Sequence, residues 1–211
     1  MRTIKITGTG QLKVHPDVTE ITMDITGLCP KYDEAVERSA ADTNILKNII
    51  VELGFKRESI KSQIMNVCAE YENYDESGKT CQRMKGYKFR HQMIMEYDTD
   101  NELTGQILYA LSHCNIKAEI NFSYTLKDKE SAKNILLANA VADSRKKAEI
   151  IADAAGVKLG VIQSVDYSWG NVEFRTASLC GDIGFSRRYA VDIEPEDIRL
   201  TENVTVTWEI S

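Results

Sequence analysis

Only three prolines and three histidines occur in these 211 residues, and nowhere does an apolar run grow long enough to cross a bilayer. So few prolines leave no Pro/Ser-rich linker to cut the chain into independent pieces. The histidines, His15, His91 and His113, have no Cys or His partner at metal-ligand spacing, so no zinc site is expected. His91 falls on an aromatic and methionine strand face, where a hydrogen-bonded core histidine is the simplest reading. An excess of basic charge is missing too: 26 Lys and Arg stand against 32 Asp and Glu, a formal net charge of -6. Phosphate-neutralising proteins need clustered cations, and Arg145-Lys146-Lys147 is set among acidic neighbours, so a nucleic-acid partner is not expected. The five cysteines, Cys29, Cys68, Cys81, Cys114 and Cys180, are odd in number and widely spaced. They make a poor disulfide framework and point to free thiols in a reducing compartment. Met1-Arg2-Thr3-Ile4-Lys5-Ile6 moves straight into strand-like alternation without an apolar signal region, so the expected location is cytoplasmic.

Catalytic constellations are equally scarce. Gly8-Thr9-Gly10 lacks the third glycine of a dinucleotide fingerprint, because Lys13 stands in that place and a second strand follows instead of a helix. A tight turn or bulge between strands is the expectation there. Gly184-Phe185-Ser186-Arg187 lacks the second glycine of a nucleophile elbow. Cys180 lies in the glycine-containing loop near Arg175, Arg187 and Arg188, and cations favour a thiolate. It is the candidate reactive cysteine. Glu194, Glu196 and Asp197 flank Pro195 and read as a solvated turn. No cofactor is expected.

What is present is alternation. Hydrophobic residues make up 43% of the chain, enough for an ordinary core. A first strand is expected from Ile4 to Thr9, and a second where Ile21, Met23 and Ile25 alternate with polar residues. A helix opens near Pro30 and Asp33, buries a stripe of Val36, Ser39, Thr43, Leu46, Ile50 and Leu53 widened by Ile45 and Ile49, and closes at Gly54. A strand from Ser59 to Tyr71 and a polar loop from Glu72 to Gly86 follow. The return strand carries Tyr87, Phe89, His91, Met93, Met95 and Tyr97 on one face. Helix two starts near Asp100, and strand five spans Ile116 to Leu126. Helix three runs from Asp128 to Ala155 with a narrow seam of Leu137, Val141, Ser144, Ala148, Ile151 and Ala155. A strand from Val161 to Trp169, a long loop over 170–199 and a last strand from Leu200 to Ile210 complete the order. Paired strands between helices predict an α+β fold: a mainly antiparallel sheet with helices packed on one face, in two intimately joined α/β subdomains. The whole of 1–211 reads as one domain, with an internal subdivision near 99–115.

Several segments, in order, resemble the SIMPL-domain family, bacterial proteins with animal signalling relatives. They are Ile6-Thr7-Gly8-Thr9-Gly10 followed by Pro16-Asp17, then Gly86-Tyr87, and the helix from Ala138 to Ala152 running into Ala155-Gly156-Val157-Lys158-Leu159-Gly160. Ile193-Glu194-Pro195 comes last, with Glu196 where the family has glycine. The resemblance implies an α+β fold, a tendency to self-assemble and links to stress tolerance and signalling. It supplies no catalytic residues.

The expectation is therefore a non-enzymatic protein acting as a homo-oligomer or interaction scaffold. Phe174, Phe185 and Tyr189 in the long loop are the expected contact residues, because aromatics anchor interfaces. The alternatives are a thiol-based redox-responsive protein using Cys180, or a small-molecule binder with a cleft between helix three and the long loop.

Overall fold

The structure, a computed structural model, describes residues 2–76, 79–167, 174–176 and 195–211. In chain order it contains β1 (Arg2–Val14), β2 (Val18–Cys29), α1 (Tyr32–Glu52), a 3-10 turn (Arg57–Ser59), β3 (Lys61–Glu76), β4 (Lys79–Asp98), α2 (Asn101–Ser112), β5 (Ala118–Thr125), α3 (Lys129–Ala154), β6 (Leu159–Asp166) and β7 (Ile198–Ile210). The α+β class and the order of elements agree with the expectation. The strands divide into two sheets, ordered β1-β7-β6 and β3-β4-β2-β5. The chain correspondingly forms two compact units.

The first unit combines Met1–Asp17, Thr125–Thr176 and Pro195–Ser211. β1 pairs antiparallel with β7 in one unbroken register, from Arg2 opposite Ile210 to Val14 opposite Ile198. Gly8 and Gly10 therefore sit in mid-strand, and the turn or bulge expected there does not form. Their role is close approach. A Cβ on Gly8 would lie 2.0 Å from the Ala140 carbonyl oxygen, and one on Gly10 would lie 2.0 Å from that of Leu136. The backbone of α3 rests directly on the backbone of β1, which only glycine permits. The buried seam of α3 is Ala132, Leu136, Ala140, Ser144, Ala148 and Ala152, every fourth residue and nearly all small. Ser144 and Ala148 fulfil the expectation. Leu137 and Val141 are half-buried against the same core, while Ile151 and Ala155 are exposed; the fully buried line runs instead through Leu136, Ala140 and Ala152, where the two alanines give the shortest helix-to-strand distance. The Thr9 N–H donates to Asp143 Oδ2 at 2.8 Å, and Trp208 Nε1–H donates to Ser144 Oγ at 3.3 Å, which fixes the helix along the sheet.

The second unit is centred on Val18–Tyr124. Ile21, Met23 and Ile25 of β2 and Phe89, Met93 and Met95 of β4 form its core with Leu46 and Ile50 of α1 and Ile107, Leu108 and Leu111 of α2. On α1 the buried residues are Ala35, Ser39, Thr43, Leu46 and Ile50. Ala35 thus replaces the expected Val36, which is exposed along with Ile45. The expected loop from Glu72 to Gly86 is mostly strand. β3 continues to Glu76 and β4 begins at Lys79, paired from Tyr71 opposite Met84 to Glu76 opposite Lys79. β2 reaches only to Cys29 opposite Tyr87, so these residues form a two-stranded arm. With both faces wet, an arm needs no apolar alternation, and its composition reads as loop.

Both later helices begin on an aspartate. Asp100 Oδ1 accepts from the Leu103 N–H at 3.0 Å, and Asp128 Oδ1 accepts from the Ser131 N–H at 2.8 Å. Each satisfies a donor that the first helical turn leaves unpaired. Asp128→Ala should lower the unfolding free energy by about 1 kcal/mol, while Asp128→Asn retains most of it. Equilibrium urea denaturation of the three proteins checks this.

Candidate functional site

The residues singled out in the long loop divide. Cys180, Phe185 and Tyr189 lie outside the described residues. Phe174 is 7% exposed and packs with Leu126, Ala132, Leu136, Ile198 and Leu200 in a core cluster of the first unit. Its carbonyl oxygen accepts from Thr125 Oγ1 at 2.8 Å. Of the described thiols, Cys29 is buried, Cys81 and Cys114 are half-buried, and Cys68 is exposed. Among the described residues, no three His, Cys, Asp or Glu side chains come together to hold a metal ion. No described helix is long and apolar enough to cross a membrane.

His91 is where the second unit collects polar groups in its core. It sits on the buried face of β4 at 8% exposure. Two core positions of α1 are polar: Thr43 meets His91, while Ser39 Oγ–H donates to Met65 Sδ at 3.5 Å. Thr43 Oγ1–H donates to the Ser39 carbonyl at 2.7 Å, so its oxygen is left to accept from His91 Nδ1–H at 2.9 Å. The bare Nε2 then accepts from Ser62 Oγ–H of β3 at 2.7 Å. Both nitrogens of the neutral imidazole are thus satisfied. Burial pushes its pKa down, Lys47 pushes it further, and only Asp24 opposes.

A serine hydroxyl on a neutral imidazole is half of a nucleophile-and-base pair. In catalytic triads a carboxylate holds the other ring nitrogen and stabilises the imidazolium that forms. Here a hydroxyl holds it, and the carboxylate His91 senses, Asp24, accepts from Arg90 Nε at 2.7 Å. Lys47 disfavours the imidazolium further. The chain from Ser62 to Ser39 therefore ties α1, β3 and β4 together without activating the serine. His15 and His113 are peripheral: His15 Nδ1 meets Asp197 Oδ1 at 3.1 Å, and His113 stacks on Tyr109 at 4.2 Å.

The surface feature that stands out is β3. It is the end strand of its sheet, and Lys61–Asn66 are exposed without exception. Tyr71, Ile64 and Met65 on it are 58%, 47% and 46% exposed. Gly86, at a φ of 145°, stands opposite Glu70 where the register slips by one residue on β4. Beyond it the arm runs on past β2. In the arm Arg83 pairs with Glu72 and lies 5.5 Å over the Tyr74 ring. Edge position depends on sheet order, so nothing in the strand's own sequence marked it. A comparison with protein-family models matches residues 4–208 to SIMPL, described as a protein of unknown function (DUF541). No curated protein matches the chain.

Proposed function

The chain belongs to the SIMPL family, and from that premise we propose that it acts as a self-associating interaction scaffold without catalytic turnover. The observation that supports this is the long exposed edge of β3, with Ile64, Met65 and Tyr71 each about half exposed on a strand that, among the described residues, has no strand on its outer side. A long apolar edge strand is a template for pairing with another chain. The hydroxyl-bound, cation-disfavoured imidazole of His91 fits a structural role better than a catalytic one. A setting in stress tolerance follows the family resemblance. A cytoplasmic location suits four free thiols, Cys29, Cys68, Cys81 and Cys114.

Size-exclusion chromatography with light scattering tests the reading. The expected mass is a multiple of 23.8 kDa that persists through the micromolar range. A strict monomer at every concentration would sink it.

A further inference from the structure

We propose that Asn139, Asp143 and Lys147 of α3 guard the edge of β1, an autoinhibitory contact that keeps a further strand from pairing there. Among the described residues β1 is an end strand that pairs with β7 alone. Alternate residues of such a strand turn both their N–H and their C=O outward. An outward row of unpaired groups is a template for another strand. Charge blunts the two ends of this row: Lys5 and Lys13 are exposed and pair with Asp166 and Asp197. Between them, from Ile6 to Leu12, β1 has no charge and no proline.

That uncharged stretch is where the helix intervenes. Asn139 Nδ2–H donates to the Gln11 carbonyl at 3.1 Å. Asp143 Oδ2 accepts from the Thr9 N–H at 2.8 Å, and Lys147 Nζ–H donates to the Thr7 carbonyl at 3.4 Å. Each side chain has the polarity its backbone partner needs, a donor for each carbonyl and an acceptor for the amide. The spacing follows from the two repeats. Four residues of helix advance about 6 Å and two residues of strand about 6.6–6.8 Å, so one stripe of α3 keeps step with the outward groups of β1. Lys147 also pairs with Asp143 at 2.7 Å, which joins two of the three guards. Continued by four residues either way, the stripe reaches Ile135 and Ile151, both 45% exposed and without a hydrogen-bonding side chain. The strand positions in step with them are Lys13 and Lys5. The polar stripe thus stops where the strand's own lysines take over. Unlike a pairing strand, the helix uses its own backbone groups internally and offers no new row, so the sheet ends here.

Amide hydrogen exchange of the full-length protein tests the contact itself. The Thr9 amide should exchange about tenfold faster or more in Asp143→Ala, which loses a hydrogen bond to a charged acceptor. It should stay slow in Asp143→Asn, which keeps an acceptor oxygen. Equal rates in the parent and Asp143→Ala, or in Asp143→Asn and Asp143→Ala, would overturn the guard. Its consequence is read in Asn139→Ala, Asp143→Ala and Lys147→Ala combined, since alanine preserves the helix. Light scattering should give this triple variant a mass above the parent's at the same concentration, whatever the parent's own state. A labelled peptide of the sequence Thr3–Lys13 should bind the triple variant about tenfold tighter or more than the parent, read by fluorescence anisotropy. Asp128→Ala, which weakens the same helix at its N-terminus without touching the stripe, should behave as the parent in both assays. An unchanged mass, a peptide that binds both proteins alike, or the same gains in Asp128→Ala overturns the proposal.

Discussion

Gly8→Val should lower the unfolding free energy by about 3 kcal/mol or more, at the severe end of overpacking substitutions. The cause is contact with backbone on the far side. A Cβ at Gly8 meets the Ala140 carbonyl oxygen at 2.0 Å, the Ser144 amide nitrogen at 2.5 Å and the Ser144 Cβ at 2.7 Å. No rotamer change relieves a clash with main chain, so α3 would have to lift from the sheet. Lifting it breaks the bonds from Thr9 N–H to Asp143 and from Trp208 to Ser144 and opens gaps along a seam of alanines that fit only at short distance. Gly105 supplies the control. It lies within α2, and no atom comes within 4 Å of its ideal Cβ. Gly105→Ala should raise stability by about 0.5–1 kcal/mol, through backbone entropy alone. Thermal and urea unfolding of both variants decide the matter. A Gly8→Val protein as stable as the parent would mean that α3 does not bear on β1 at this point.

The same contact explains what could be read in the sequence and what could not. The order of strands and helices was legible because period-two and period-3.6 alternation are local properties, and Asp100 and Asp128 announce their helices within one turn. The seam of α3 was missed at Ile151 and Ala155, which are exposed, while Leu137 and Val141 border the fully buried line, half-buried against the core. Val141 and Ile151 are more apolar than Ala140 and Ala152, and apolarity is what periodicity weighs. The face actually buried is decided by Gly8 and Gly10, far away in the chain, whose missing side chains admit a helix backbone. Those glycines read locally as a turn because their use is tertiary. Glu202 makes a related point. Strict alternation from Leu200 to Trp208 obliges it to face the core opposite Gly10, and it is buried there despite its charge. The family pattern was legible across nearly the whole chain. The free edge of β3 and the partners of His91 were not, since each depends on which strands and helices become neighbours.

The pH profile of stability should carry a component from His91 alone. Its pKa is pushed below the ordinary 6.5, first by burial and then by Lys47 on α1, with Asp24 on β2 acting in the opposite sense. The unfolded chain therefore binds a proton near pH 6.5 that the folded protein still resists. Between those two values the unfolded state holds more protons, so stability falls as pH falls. The loss begins near the unfolded value and ends below the folded one. Protonation would place a hydrogen on Nε2, and the Ser62 hydroxyl must turn from donor to acceptor. That turn is easy for an exposed serine, so the cost comes from the buried charge. Other shifted groups fall in a separate window. Asp143, held by Lys147 and the Thr9 N–H, and Asp197, held by Lys13 and His15, have pKa values below the ordinary 3.8. They lose their contribution only in stronger acid. His91→Gln keeps a donor and an acceptor but cannot titrate. It should stay within about 1 kcal/mol of the parent at pH 8 and lose the decline between pH 6.5 and 5. His91→Ala, which leaves a cavity and strands the Thr43 oxygen, should cost about 2–3 kcal/mol at every pH. Urea midpoints measured for all three proteins from pH 8 to 5 separate the cases. An undiminished decline in His91→Gln would assign it to other groups, and the neutral imidazole would cease to be the pH-sensitive link between α1, β3 and β4.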